Sequence, residues 1–415
     1  MVAKSNHIPL RNRIGAALRG WSIGVIPSSP VFHGSNGIDF GVSVNEDSAL
    51  RFTAVYAAIK LLSENIASLP KSVKVVTDAG YEDAADHPAT RLLRVAPNGY
   101  MDPFTYWFRN IAQLLGKGVF CGPIERDSAG NPVALHPVDK DWVTVLFNKG
   151  VKGYRVNCPD PTFSYLNGTY LEHEFLYVML FTRDGLTGID PISYNAAAIG
   201  RGIAANKFSG EFYKRGGNIK GVLEMENSLG EDQFDKFMAH FKASSQNYET
   251  PLLEYGVKYK DVGISPLAAQ LLQTETFSIS DIARIFGIPP HLLAELSHAT
   301  FSNIEQQNIF FGEFSLRPIC KRIEVQLESK LFREDERGKY SVKFDMKGLM
   351  RGDAKTRAEY YNSGINAGWM TPNEARRLEE MKSLPGLDFP RMPMNYVQID
   401  EAGKAVVVDN STQNE

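Results

Sequence analysis

Apolar residues recur at helical spacing in a few long stretches and at strand spacing in many short ones, and the order of the two kinds divides the chain. The longest helical pattern runs Ile304, Phe311, Phe314, Ile319, Ile323, Leu327, Leu331. Steps of three, four or seven keep one face apolar for about thirty residues, ~45 Å at helical rise. Pro318 lies inside it. Proline lacks a backbone donor and clashes with the preceding turn, so the pattern predicts one helix kinked near Phe314. Upstream, Ser280 and Asp281 open a short helix through Ile282, Ala283, Ile285 and Phe286. Gly287 ends it and Ile288-Pro289-Pro290 blocks its continuation. A polar run, His291 to Ser302, joins the two helices.

Earlier in the chain the period changes more often. Residues 1–48 are rich in Gly, Ser, Asn and Pro and read as an arm. Val55, Ile59, Leu62, Ile66 and Leu69 predict a helix over 49–69, stopped by Pro70. Residues 72–77 alternate as a strand. His87-Pro88 and Asp102-Pro103 each place proline at a first helical position; the second helix ends at Gly116. Strands follow over 119–125, 133–137, 142–147, 154–157 and 175–180. Turns fall at Ala129-Gly130-Asn131-Pro132 and Asn167-Gly168. Residues 49–182 therefore read as one α+β domain.

Asp190-Pro191 caps a second long helix, running to about Arg215 and crowded with Ala, Gly and Ser. Glycines inside a helix cost roughly 1 kcal/mol each against alanine, which points to a neighbouring helix packed closely there. Residues 216–264 read as strand, helix, strand, with Phe234, Phe237, Met238 and Phe241 inward. Ser265-Pro266 opens a third helix to about Thr276. Residues 340–346 alternate as a strand, Asp353 starts a helix, and Thr371-Pro372-Asn373-Glu374 is a capping box opening the last one. Residues beyond Pro385 read as a flexible tail, with 398–415 disordered.

Charge and cysteine content narrow the chemistry. The 415 residues carry a formal net charge of −3, whereas tight nucleic-acid binders carry a large basic excess. A DNA partner would not be gripped by phosphate neutralisation. Segment 216–264 holds Glu224, Glu226, Glu231, Asp232, Asp235, Glu249, Glu254 and Asp261 against Lys220, Lys236, Lys242, Lys258 and Lys260, an excess equal to that of the whole chain. Three scattered cysteines, Cys121, Cys158 and Cys320, indicate a reducing compartment without a disulfide framework. No apolar run approaches the roughly twenty residues of a membrane span. Arg11, Arg13 and Arg19 interrupt the N-terminal apolar residues, against a secretory signal.

The sequence resembles the siphophage-type portal family of tailed bacteriophages. The resemblance is carried by Thr53-Ala54-Val55-Tyr56-Ala57-Ala58-Ile59 through Pro70, His87 to Leu93, Asp102-Pro103-Phe104, Gly188-Ile189-Asp190-Pro191-Ile192, Ile282 to Pro290, and Gly368 to Arg376. It implies an α+β portal fold. Residues 49–189 would be the wing, 190–215 and 265–286 the stem helices, and 216–264 the clip. Residues 287–303 would be the tunnel loop, 304–351 the kinked helix and wing return strand, and 352–384 a helical crown. It further implies a homo-oligomeric ring, usually dodecameric, at one capsid vertex of the virion, assembled in the host cytoplasm. Double-stranded DNA would pass through it. The large terminase, a head–tail adaptor and the major capsid or scaffold protein would be its partners, with no membrane, cofactor, metal or catalytic residue.

On this resemblance His291, Leu292, Glu295, His298 and Thr300 would face the DNA channel. That loop has no Lys or Arg, so contact would be steric. Lys220, Glu224, Glu226, Glu231 and Asp232 would meet the clip's partners, and Pro318 would set the helix kink. Other readings fare worse. Segment 278–294 has helix-turn-helix spacing, but its second half lacks the Arg, Lys, Asn or Gln that reads base edges. Gly116-Lys117-Gly118 lacks the earlier glycine and the hydroxyl of a phosphate loop, as an ATP-hydrolysing packaging motor would need. His173-Glu174 has Tyr177 where a zinc protease needs histidine. A shorter ring-forming head–tail connector would not share the whole element order.

Overall fold

Caps and prolines set the first elements. Asn45 opens helix α1 (Glu46–Leu50), accepting from the Ser48 backbone N–H at 2.8 Å. Phe52 then takes an extended backbone, buries its ring and caps a new helix, α2 (Thr53–Ser68). The single helix expected over 49–69 is thus two. Helices α3 (Pro88–Arg94) and α4 (Pro103–Lys117) start where the prolines place them. His87 caps the first through Nδ1, which accepts from the Ala89 N–H at 3.1 Å; Asp102 caps the second at 2.9 Å. The computed structural model describes residues 24–25, 42–77, 80–148, 150–214, 221–224, 230–246, 258–261, 279–293, 309–346, 354–379, 381–390, 398–399 and 405–406. They fall in two compact units, 1–345 and 346–415.

Within 1–345, three small antiparallel sheets are built from strands of residues 71–179 together with 24–25 and 340–344. Strands β2 (Lys71–Thr77) and β3 (Gly80–Asp83) form a hairpin, and β12 (Tyr340–Phe344) pairs with β2 from more than two hundred residues away. Strand β4 (Val119–Arg126) lies between β5 (Pro132–Leu135) and β9 (Phe175–Met179). Strands β6 (Val143–Asn148), β7 (Val151–Val156) and β8 (Gly168–Leu171) form the third, with β1 (Gly24–Val25) added at the β6 edge. Strands β1, β3 and β8 were not legible in the sequence: β3 is exposed along its length and β8 only half-buried, so neither shows apolar alternation.

Between these sheets Trp107 of α4 is fully buried, edge-on to Tyr106, Phe120 and Phe344. Lys71 is buried beside it. Its ammonium donates to the last carbonyls of α2, Ala67 at 2.6 Å and Ile66 at 3.2 Å, and lies 5.3 Å from the Trp107 and Phe344 rings. These contacts suit a cation at a helix C-terminus, while burial lowers its pKa to about 7.

The long helix behaves differently from a simple proline kink. Residues 309–310 are α-helical, Phe311–Leu316 form a π-helical run, and α9 (Arg317–Leu331) follows with Pro318 in its first turn. The wider π turn sits where the proline disturbs the usual ladder. Ile319, Ile323, Leu327 and Leu331 are buried against β9 and β12, each stabilising by ~1.5–3 kcal/mol. Lys330, at the far end, is 2% exposed and donates to the carbonyl and carboxylate of Glu172. Glu324 accepts from the Phe344 N–H at 2.8 Å, fixing β12 to the helix.

In the second unit Thr371 and Glu374 form the expected capping box of α11 (Pro372–Leu378). Helix α10 (Ala354–Asn366) precedes it, and Tyr361 donates to Glu379 at 2.6 Å. Asn373 is buried and ties the turn after α11, donating to Leu384 O and Asp388, both at 2.8 Å. The tail read as disordered contains a short pairing, Gln398–Ile399 against Ala405–Val406.

Candidate functional site

The loop expected to face a channel has two feet, and both are described. The first is helix α8 (279–286). Gly287, at φ +64°, ends it, and the Ile288 N–H bonds back to Ala283 O at 2.8 Å. Ile288 and Pro289 are buried, and Pro290–Leu293 make one 3₁₀ turn that leaves His291 and Leu292 half-buried. Glu295, His298 and Thr300 lie outside the described residues. The second foot is the helix from 309 onward. Its buried Ser315, within the π turn, donates its hydroxyl to the Gly287 carbonyl. One hydrogen bond therefore ties the end of α8 to the start of the long helix and closes the base of the loop.

The helix read as continuous from Asp190 breaks at Asn195 into α5 (Pro191–Tyr194) and α6 (Ala196–Lys214). Asn195 leaves the helical region and folds its amide onto Pro191 O. On α6, Gly200, Gly202 and Ser209 are buried, while Gly210 faces open space. Arg201 reaches across to α8, its Nη2 2.5 Å from Asp281 Oδ2, and Arg284 holds the other carboxylate oxygen at 2.7 Å. The sequence reading missed this clamp and the role of Ser315. Each polar residue looks like ordinary surface or core filling until its distant partner is known.

In the small strand–helix–strand segment, β10 (Gly221–Glu224) pairs antiparallel with β11 (Lys258–Asp261), setting Glu224 opposite Lys258. Helix α7 (Glu231–Gln246) presents Glu231 and Asp232 in its exposed first turn, where acidic groups suit the helix N-terminus. Phe234, expected inward, is 51% exposed, whereas Phe237 and Met238 are half-buried. The face that this helix buries starts one turn later than its apolar pattern suggested. Lys220 and Glu226 lie outside the described residues.

The rival chemistries find no support in the geometry. Lys117, the would-be phosphate-loop lysine, is held by Asp139 at 2.7 Å, Asp141 at 2.7 Å and Glu46 at 3.3 Å. Burial opposes its charge, but those carboxylates raise its pKa above the ordinary lysine value. Its cation is already neutralised. His173 and Glu174 sit in a 3₁₀ turn, where Glu174 accepts from the Leu171 N–H at 2.9 Å. All three cysteines are buried, and burial pushes the Cys121 and Cys320 thiols up to about 12. Among the described residues no cluster of His, Cys, Asp or Glu could hold a metal ion. No described helix is long and apolar enough to cross a membrane.

A family model described as "Phage portal protein" matches residues 53–380. The chain belongs to the phage portal protein family. The portal protein of Enterobacteria phage HK97 is 28% identical over 414 residues, covering 95% of this chain and 96% of its own length. The probable portal protein of Streptomyces phage phiC31 is 30% identical over 378 residues, covering 87% and 82%. Both are of the siphophage type. A solved structure, the neck of a native gene transfer agent particle computed with C12 symmetry, aligns at TM-score 0.56 with 19% identity, covering 89% of this chain and 98% of that one. It supports the α+β portal fold. The family is one of structural proteins of the phage particle, not of enzymes.

Proposed function

We propose that this portal protein forms a ring, twelve-membered by analogy with the C12 neck, at one vertex of the capsid. Double-stranded DNA passes through its centre during packaging and ejection. The packaging motor docks on the 216–264 segment, and the head–tail adaptor later replaces it there. In this reading residues 190–215 and 265–286 form the stem, of which 265–278 lie outside the described residues, residues 287–303 the tunnel loop, residues 49–189 the wing and the helices after 352 a crown facing the capsid interior. The major capsid or scaffold protein is a further partner, and the protein itself hydrolyses no ATP. Assembly takes place in the host cytoplasm.

The observation that carries the reading is the family match across residues 53–380. Two local features support the division of labour. The loop 287–303 contains no Lys or Arg, so duplex phosphates sliding past would meet no counter-charge to bind. The 216–264 segment carries the acidic excess and displays Glu231 and Asp232 in solvent, which fits a basic partner surface.

Electron microscopy of the purified chain tests the ring directly. The expected result is a closed ring with a hole wide enough for a B-form duplex; a monomer, or a closed centre, refutes it. Deleting residues 294–299 is expected to leave rings intact while impairing packaging or DNA retention. Loss of assembly in that variant would contradict the separate role given to the loop.

A further inference from the structure

The long helix is apolar on two faces, and the core accounts for only one of them. On the outer face Ile309 is 52% exposed, Phe310 50% and Phe314 67%. The two phenylalanine rings lie 4.6 Å apart on successive turns. Arg317 stands one turn further on, paired with Glu313 at 2.6 Å, and Val325 continues the exposed side. The opposite side of the same segment already buries Phe311, Leu316, Ile319 and Ile323. The double apolar character is confined to the first turns, since Arg317 and Lys321 are exposed further along the outer side; a helix turn apolar on both sides is normally covered on both.

Burying an aromatic side chain removes 150–250 Å², so at their exposures the three residues leave roughly 300 Å² of apolar side chain in water. That is more than a third of the ~800 Å² that one partner contributes to a standard interface. Aromatic residues flanked by arginine are also what interface centres favour over the rest of a surface. A partner present only during packaging would leave this face bare in the free particle, inviting aggregation; a permanent neighbour would not.

We propose that the outer face of residues 309–325, centred on Phe310 and Phe314, seats against a second copy of this chain. The proposal rests on the ring reading above. A ring built by rotation joins two different surfaces of each subunit, and this face is one of the two. Each subunit's long helix would then be held on one side by its own sheets and on the other by its neighbour.

The test uses the full chain with the double substitution F310E and F314E. Size-exclusion chromatography with light scattering and electron microscopy should give rings for the parent and folded single subunits for the variant, with unchanged helical circular dichroism. Rings from both would overturn the proposal and leave the ring reading standing. No ring from the parent would remove the ring reading itself. Should the double variant lose its helical signal, F314C decides instead. The native thiols are all buried, so maleimide reports position 314 alone. In rings it should label on the order of tenfold more slowly than the turn position D335C, as an interface centre packs like a protein interior. Equal rates would overturn the proposal.

Discussion

Replacing Gly118 with alanine should destabilise the first unit far more than the same change at Gly150, and the difference can be worked from geometry. Both glycines have positive φ, +76° and +86°. Alanine in the left-handed region costs ~1–2 kcal/mol, which applies equally to both. At Gly150, in the β6–β7 turn, an added Cβ meets nothing within 4 Å, so G150A costs only that amount. At Gly118 the Cβ would stand 1.9 Å from the Ile189 carbonyl oxygen and 3.2 Å from the Asp190 nitrogen. Backbone cannot rotate away as a side chain can, so the two segments must part by more than an ångström. That breaks the hydrogen bond from Leu180 N–H to Gly118 O, 3.0 Å long and worth ~1 kcal/mol. It also disturbs the Asp190 cap of α5, worth another ~1 kcal/mol. The sum for G118A is ~3–4 kcal/mol. At about 1.4 °C per kcal/mol for a unit spanning residues 1–345, from ~2.1 cal/mol/K of unfolding entropy per residue, Tm should fall by ~4–6 °C, against ~1–3 °C for G150A. Thermal melts of both variants beside the parent provide the measurement. Equal losses would mean that Ile189 does not approach Gly118 as described, and with it would go the close junction of α4, β4 and α5.

Two further outcomes follow from buried ionisable groups. Burial lowers the His87 pKa below the ordinary imidazole value despite Glu336 nearby, and its neutral Nδ1 caps α3. The unfolded chain therefore takes up the proton first, so this stability is full above the free imidazole range and is lost as pH falls through it; H87N, an uncharged cap, should flatten the acid limb of a Tm–pH profile. Lys330 is buried while Glu172 is 49% exposed, so E172Q, which leaves the buried ammonium its bond to the Glu172 carbonyl but no counter-charge, should cost ~2 kcal/mol in thermal melts and K330M less than half as much. The opposite ranking would show that the pair is not asymmetric.

The sequence revealed most of the elements whose local chemistry is self-contained. Proline at a first helical position announced α3, α4, α5 and α11, and the buried faces of α2 and α9 followed the apolar spacing. What it hid depended on partners far away. Asn195 gives no local sign that it ends one helix and begins another. Strand β3 has no apolar face, and Phe234 points outward although its spacing says otherwise. At the candidate site, Gly287 and the prolines placed the first foot of the loop correctly. The Ser315 hydroxyl and the Arg201–Asp281 clamp could not be read, because each joins residues separated by 28 and 80 positions.

The bond between Ser315 and Gly287 limits what lies between them. A strand of protein pegged at both ends can swing outward only to half its contour. Residues 288–293 are already packed or turned, so only the leash of residues 294–308 is left to extend, and half its contour is on the order of 25 Å at full stretch. In the proposed ring, traction on it from a passing duplex would be shared between two helices at one knot, so a tug at the bore would reach α8 and the long helix together.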